Sequence, residues 1–272
     1  MIELNGELLE KLHKVETEML AELDRVCRKN DIPYYITAGT LLGAVRHGGF
    51  IPWHDDMDIC MSRTDFKRFL EVCKTDLSED YYIECQELNP DYWYSIPKIC
   101  KKNTVFKNIQ DSNLKEHIGI YVDIFMLDNV PKQNGKMQAI YASLANLLQA
   151  TISNRKTNFN VKKMSFKSKL FFYMTKPFSI RTLGKWRTKI ASHYGENCKY
   201  YTNLASRYGR IKQTMPKDKF YPPVEIDFDG YKFLAPKEYI YMLERIYGDY
   251  MKLPPEEKRC TTHKLAELDF GE

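Results

Sequence analysis

Apolar residues recur at helical spacing through Leu8, Leu9, Leu12, Val15, Met19, Leu23 and Val26, and Asn30-Asp31 with Pro33 closes the run. The spacing predicts an amphipathic helix over residues 6–29. The pattern then shortens and alternates. It predicts a strand at 34–36, a helix from residue 40 carried by Leu41, Leu42 and Val45, a strand at 56–61, and a helix from Asp65 to Thr75. Further strands are expected near 81–85, 93–100 and 119–126, and residues 136–195 read as mostly helical, with breaks at Asn158 and Pro177. Two alternating runs between Val224 and Leu234 flank Asp229-Gly230, which predicts a hairpin, and a helix from Pro236 to Tyr247 follows. The fold class is therefore α/β (α+β). We expect a catalytic core at 1–128, a helical insertion at 129–200, and a hairpin and helix at 201–272 that complete the core.

At 272 residues the chain is long enough to bury a sizeable core. No run approaches the roughly 18 consecutive apolar residues of a membrane span, and Met1-Ile2-Glu3-Leu4 opens an acidic, amphipathic segment instead of a signal peptide, so a cytoplasmic protein is expected. Seven cysteines, odd in number and without a Cys-x-x-Cys pair, read as free thiols and not as a zinc cluster or a disulfide framework.

The net charge of +5 hides an uneven distribution. Residues 129–195 contain 13 Lys or Arg and no Asp or Glu, while the remainder carries 28 basic against 36 acidic residues. Inside that basic stretch Phe166, Leu170, Phe171, Phe172, Tyr173 and Trp186 interleave with Lys167, Lys169, Lys176, Arg181, Lys185, Arg187 and Lys189. Two readings stand: an amphipathic helical pair whose apolar face is ordinary core, or a peripheral contact with an anionic membrane or a lipid-linked phosphate. A nucleic-acid surface would show the same interleaving, but the chain has no separate RNA-binding module, and no nucleic acid partner is expected.

Candidate chemistry concentrates in residues 37–60, TAGTLLGAVRHGGFIPWHDDMDIC. On a strand Asp56 and Asp58 share a face with His54, while Asp55 and Met57 point away. Two such carboxylates repel unless a cation lies between them, and hard oxygen ligands suit Mg²⁺ or Mn²⁺. Upstream, Gly39 and Thr40 open a helix whose first N–H groups suit a phosphate. Alone, the Gly-Thr is an ordinary cap and the Asp-x-Asp a solvated loop; adjacency makes them a candidate site. Arg46 either meets a phosphate or caps its helix, and Gly48-Gly49 reads as the turn leading to the Asp strand. Asp123 sits among apolar neighbours on the 119–126 strand and needs a partner, whereas Asp128 reads as a turn residue. Lys98 is either a phosphate contact or a solvated strand lysine. Tyr92, Trp93 and Tyr94 are candidates for a cage around a quaternary ammonium, and His263 reads as a surface histidine.

The segments GTLLGAVRHGGFIPWHDDMDI and HIGIYVDIFMLD closely resemble the LicD family of phosphotransferases, which includes the fukutin-related proteins and has a nucleotidyltransferase-like fold with a mixed sheet core. The resemblance extends from about residue 10 to the C-terminus through Pro97-Lys98-Ile99, Tyr231 to Pro236 and YGDYMKLPP. It implies a catalytic, metal-binding triad of Asp56, Asp58 and Asp123, with Mg²⁺ or Mn²⁺ as cofactor. It also implies a CDP-linked donor, typically CDP-choline, and transfer of phosphocholine to a glycan or lipid-linked oligosaccharide such as a teichoic acid, lipopolysaccharide or capsule precursor. His54 stands where the family usually has an Asp, and Met126 where it usually has a Pro. The alternatives are a nucleotidyltransferase using a nucleoside triphosphate, or a non-catalytic subunit of a polysaccharide assembly complex.

Overall fold

The computed structural model describes residues 2–111, 118–157 and 164–271; His117, Asn158, Lys162 and Lys163 lie outside the described residues. Two compact units divide the chain, one built from 1–83, 98–126 and 217–272, the other from 84–97 and 127–216. The first opens with α1 (Gly6–Lys29), β1 (Tyr35–Ile36), α2 (Ala38–His47), β2 (Met57–Ser62) and α3 (Arg63–Asp76). It continues through β3 (Tyr81–Glu84), β4 (Lys98–Lys101), β5 (Val105–Asn108) and β6 (Tyr121–Val130), whose last residues pass into the second unit. That unit holds α4 (Lys136–Lys156), α5 (Phe166–Met174), α6 (Ile180–Ala191), β7 (Tyr200–Thr202), α7 (Arg210–Gln213) and β8 (Thr214–Pro216). The chain returns to the first unit with β9 (Val224–Phe228), β10 (Tyr231–Ala235), α8 (Tyr239–Tyr247) and β11 (Leu265–Asp269). The α+β organisation expected from the sequence is the one observed.

In the first unit the strands follow the order β1-β2-β6-β4-β3, so the two Asp-bearing strands β2 and β6 are neighbours. Helix α1 buries Leu9, Leu12, Met19, Leu20, Leu23 and Val26, each such side chain stabilising the unit by roughly 1.5–3 kcal/mol. Its outer face carries Arg25–Glu22 and Arg28–Asp24 ion pairs one turn apart. Ser62 ends β2 and caps α3 by accepting the Asp65 N–H at 3.1 Å.

The β9–β10 hairpin forms around Asp229 (φ 47°) and Gly230 (φ 83°), the left-handed pair a two-residue hairpin turn demands. Its tip grips the loop after α2. The Asp229 N–H donates to the Gly48 carbonyl at 2.8 Å, and the Asp229 carboxylate accepts from the Phe50 N–H at 3.3 Å. Gly49 leaves the space that the Asp229 carboxylate fills, and any Cβ there would overlap it.

In the second unit α4 and α6 pack through Ala142, Ala145, Leu148, Ile152 and Leu183. Arg155 of α4 donates to the carbonyls of Phe178 and Phe172 and to the Thr175 hydroxyl, tying down the chain between α5 and α6. Helix α5 buries none of its residues.

Several expectations need correction. Residues 93–97 are not strand: the Tyr92, Trp93 and Tyr94 rings pack on one another, and the Trp93 and Tyr94 carbonyls accept from Gln149 of α4 and Arg187 of α6. Asp128 is no turn residue, because β6 continues to Val130 and sets Asp128 opposite Thr202 of β7. Helix α8 begins at Tyr239, three residues after Pro236. The short strands β5, β7, β8 and β11 were not anticipated, since three to five residues carry too little periodicity to be read.

Candidate active site

On β2, Met57, Ile59 and Met61 are wholly buried and alternate with Asp58 and Cys60. The strand begins only at Met57, so alternation does not extend to His54, Asp55 and Asp56. Ligand atoms of Asp55, Asp56 and His263 in fact lie within 4.8 Å of one another. The Thr40 hydroxyl accepts the Asp58 N–H at 2.7 Å, and the Thr37 N–H donates to the Asp58 carbonyl at 3.0 Å, locking the first turn of α2 against β2. Ala38 pays for this junction with φ 48°, a conformation costing an alanine on the order of 1–3 kcal/mol. No side chain caps α2, which leaves the first-turn N–H groups of Gly39 and Thr40 without intrahelical acceptors.

Gly39 has a packing reason as well: a Cβ there would overlap the His54 ring. His54 Nδ1 lies 2.7 Å from Asp56 Oδ1. Burial opposes charge on the imidazole, but Asp56 beside it and Asp58 further off outweigh this and carry its pKa to about 9. The reciprocal holds for Asp56, where burial alone would raise the carboxyl and His54 brings it below its usual value. From α1, the His13 ring stacks on Phe50 at 3.8 Å and bonds the His54 carbonyl at 2.6 Å.

Asp123 of β6 lies opposite Lys98 of β4, and the two form a buried cross-strand ion pair. The Lys98 ammonium also sits 3.3 Å from the centre of the Tyr121 ring. Lys98 is thus no solvated strand lysine. Asp123 remains raised from its usual value, first by burial, against the opposing field of Lys98. Asp58 is raised well above the ordinary range by burial and then by Asp56 and Asp123.

His263 is not a surface histidine. It is three-quarters or more enclosed, its Nδ1 lies 3.3 Å from Asp55, and its ring meets Phe106 and Tyr121 edge-on. Burial opposes protonation here too, yet Asp55 raises the imidazole. Asp55, wholly buried, also accepts the N–H groups of Thr262 and His263 at 3.0 and 2.8 Å, so it anchors the C-terminal tail beside the site.

Glu16 of α1 was also missed. It is buried, its Oε2 has no hydrogen-bond partner, and its carboxyl is raised well above the usual range by burial and then by Asp56, Asp55, Asp58 and Asp123. A sequence signal existed, since Glu16 falls between Leu12 and Met19 in the middle of the apolar stripe of α1.

Arg46 ends α2, where it donates to the Tyr250 carbonyl at 3.0 Å and to His47. Among the described residues no carboxylate lies at ion-pair distance from it; partial burial and the neighbouring Arg259 lower its pKa, but the guanidinium stays charged. Arg259 stacks over Trp53 at 5.7 Å and, among the described residues, has the exposed Glu256, at 3.9 Å, as its acidic neighbour. Trp93 and Tyr94 belong to the second unit, where the Lys156 ammonium sits 4.9 Å over the Trp93 ring.

The donor set fits a divalent cation. Four buried carboxylates and the half-buried Asp56 come together, Glu16 Oε2 is orphaned, and neither Asp56 Oδ1 nor His263 Nδ1 has an aligned hydrogen bond. The elements β2, β6, α1 and the C-terminal tail thus assemble an acidic site with imidazoles at its edge, able to hold a metal ion.

Residues 31–168 match the family model described as LicD/FKTN/FKRP, nucleotidyltransferase domain. The chain is also similar to the lipopolysaccharide cholinephosphotransferase LicD of Haemophilus influenzae, at 30% identity over 258 residues, covering 88% of this chain and 89% of that protein. Shorter similarities reach uncharacterised proteins of Rickettsia typhi (42% identity over 55 residues, 20% of this chain and 18% of that one) and Rickettsia prowazekii (29% over 115 residues, 42% and 40%).

Proposed function

The chain belongs to the LicD family, and from that premise we propose that it transfers phosphocholine from CDP-choline to a hydroxyl of a cell-surface glycan precursor of the lipopolysaccharide, teichoic acid or capsule type. The observation that carries the reading is that Asp58 of β2 and Asp123 of the neighbouring β6, with Asp56 in the loop entering β2, act on one another in one acidic site. Similarity to a lipopolysaccharide cholinephosphotransferase over most of both chains supplies the substrate class.

In this mechanism Asp56 and Asp58 hold Mg²⁺ or Mn²⁺, which when bound neutralises the donor diphosphate and the leaving CMP. Asp123, steadied by Lys98, receives the proton of the acceptor hydroxyl as that oxygen bonds to the phosphocholine phosphorus; the bond to CMP breaks, and CMP leaves with its electron pair. Its raised pKa brings it closer to that of an effective general base. The uncapped first turn of α2, at Gly39 and Thr40, faces the nucleotide phosphate, and Arg46 with Arg259 adds positive charge for the diphosphate. Within the second unit, Trp93 and Tyr94 offer aromatic faces suited to a quaternary ammonium, and the Lys156 ammonium lies over the Trp93 ring.

The proposed workplace is the cytoplasmic face of a membrane, reached through α5. Among the described residues no helix is long and apolar enough to cross a membrane. Phe166, Leu170, Tyr173 and Met174 instead form a stripe at i, i+4, i+7 and i+8 that is 82, 53, 58 and 65% exposed, flanked by Lys167, Lys169 and Lys176. The exposure of that stripe supports the membrane reading.

The test is a donor panel of CDP-choline, CDP-ethanolamine, CDP-glycerol, CDP-ribitol and CTP with a glycan acceptor, read by mass spectrometry. CMP release from CDP-choline with a phosphocholine-bearing acceptor is expected. Pyrophosphate release from CTP alone would replace the reading with nucleotidyl transfer.

A further inference from the structure

The charges around the site do not cancel. Asp55 pairs with His263, Asp56 with His54 and Asp123 with Lys98. Among the described residues Asp58 and Glu16 are the two buried carboxylates of this group that have no cation at ion-pair distance. Two buried carboxylates without such a partner offer hard oxygen ligands of the kind one divalent cation takes. Burying them without it is costly, since low-dielectric surroundings strengthen repulsion and deny each carboxylate its hydration.

Geometry places Glu16 on the correct side of α1. His13 lies one turn earlier on the same helical face, and its ring reaches the His54 carbonyl, so that face is turned toward the loop carrying Asp55 and Asp56. Glu16 has no structural task that explains it: its Oε2 is unpartnered, and the neighbouring charges acting on it are all carboxylates, Asp56 foremost. An apolar residue would fill this position in the stripe at less cost. Glu16 also precedes the stretch matched by the family model, residues 31–168.

We propose that Glu16 belongs to the cation site: with Asp58 it supplies two buried carboxylates, neither paired with a basic side chain, that bind one divalent metal ion, from a helix outside the signature motif. The proposal rests on the reading of this site as a metal-dependent phosphotransferase.

The test is Mn²⁺ binding to the full chain at a single pH, by calorimetry or by loss of the free-ion paramagnetic resonance signal, with thermal melts of the metal-free protein alongside. Glu16→Gln is expected to weaken Mn²⁺ binding by about 10-fold or more and to raise the metal-free melting temperature, because a buried carboxylate without a partner is gone. Glu16→Asp, which keeps the charge but withdraws it by one methylene, is expected to fall between wild type and Glu16→Gln, and it decides the matter if the Gln variant does not fold. Wild-type affinity in both Glu16 variants, with affinity lost in Asp58→Asn, would overturn the role of Glu16 and leave the proposed function standing. Unchanged affinity in Asp58→Asn as well would overturn the cation site itself.

Discussion

The acidic site and helix α5 handle charge in opposite ways. Around the site, carboxylates are buried, and three of the five are matched by cations from other parts of the chain: Lys98 on the next strand, His54 in the adjoining loop, and His263 from the tail. In residues 129–195 the charge is of one sign, and the apolar stripe of α5 lies open to solvent. Burial forces a chain to balance its charges internally, because an unmatched ion there loses its hydration. Where a region carries excess charge on its surface, the balance comes from water, salt or a partner. Under the proposed function, a bound ion matches the unpaired carboxylates of the site, and an extended anionic surface matches the excess on the basic segment.

The most severe way to break this contrast is to neutralise the site. Asp58→Asn and Asp123→Asn are each expected to lower turnover by at least about 100-fold while the protein stays folded, as steady-state CMP release and circular dichroism would check. Near-normal turnover in both would mean that the buried carboxylates are structural.

Next in size is the basic surface. Lys167→Gln combined with Lys169→Gln is expected to weaken binding to anionic vesicles by about 2 kcal/mol at low salt, with the difference shrinking as salt rises. Co-sedimentation at two ionic strengths measures it, and turnover on a water-soluble acceptor should be unaffected. Equal binding by wild type and variant would assign the charges to a merely solvated face.

Acidity sharpens the comparison further. The carboxyls of Glu16, Asp58 and Asp123 are raised in the folded chain, chiefly by burial. Between their unfolded values near 4 and those raised values the folded state holds more protons, so their contribution to stability is full at low pH and is lost as pH rises. A bound cation offsets that loss. The rise in melting temperature on adding Mg²⁺ should therefore be larger at pH 8 than at pH 5, and Asp58→Asn should flatten the trend. A gain that is equal at both pH values would separate metal binding from these groups.

The smallest expected effect tests the hairpin tip. Asp229→Ala removes the acceptor of the Phe50 N–H and should cost about 1 kcal/mol in chemical denaturation, with a modest loss of turnover. No change in either would show that the loop holds its shape through His13 and Phe50 alone.

How much of this was legible beforehand depended on distance along the chain. The helix–strand run from Tyr34 to Thr75 and the Asp-Gly hairpin were readable because periodicity and turn chemistry are local properties. Asp56, Asp58 and Asp123 could be proposed from the sequence because their motifs are compact; Asp58 and Asp123 lie on the neighbouring strands β2 and β6, with Asp56 in the loop that enters β2. His263 and Arg259 were not, because each acquires its setting from residues some 200 positions earlier, namely Asp55 and Trp53. Lys98 was ambiguous for a similar reason. Its burial depends on register with Asp123 across the sheet, which no single strand reveals. Glu16 carried a local signal, a carboxylate within an apolar stripe, whose meaning required knowing what α1 covers.

The tail that closes over Asp55 has a consequence for biosynthesis. Asp55 leaves the ribosome 208 residues before the His263 amide that it accepts. At 5–20 residues per second that interval is roughly 10–40 s, during which Asp55 can only be hydrated. Until residue 263 and β11 emerge, the nascent chain holds Asp55, Asp56 and Asp58 without His263 or the strand that pairs with β5, and before residues 224–235 emerge it also lacks the hairpin that grips its loop. Ribosome-stalled chains ending before residue 224 should therefore expose the loop at residues 48–56 to protease, and released chains that contain the hairpin and His263 should protect it.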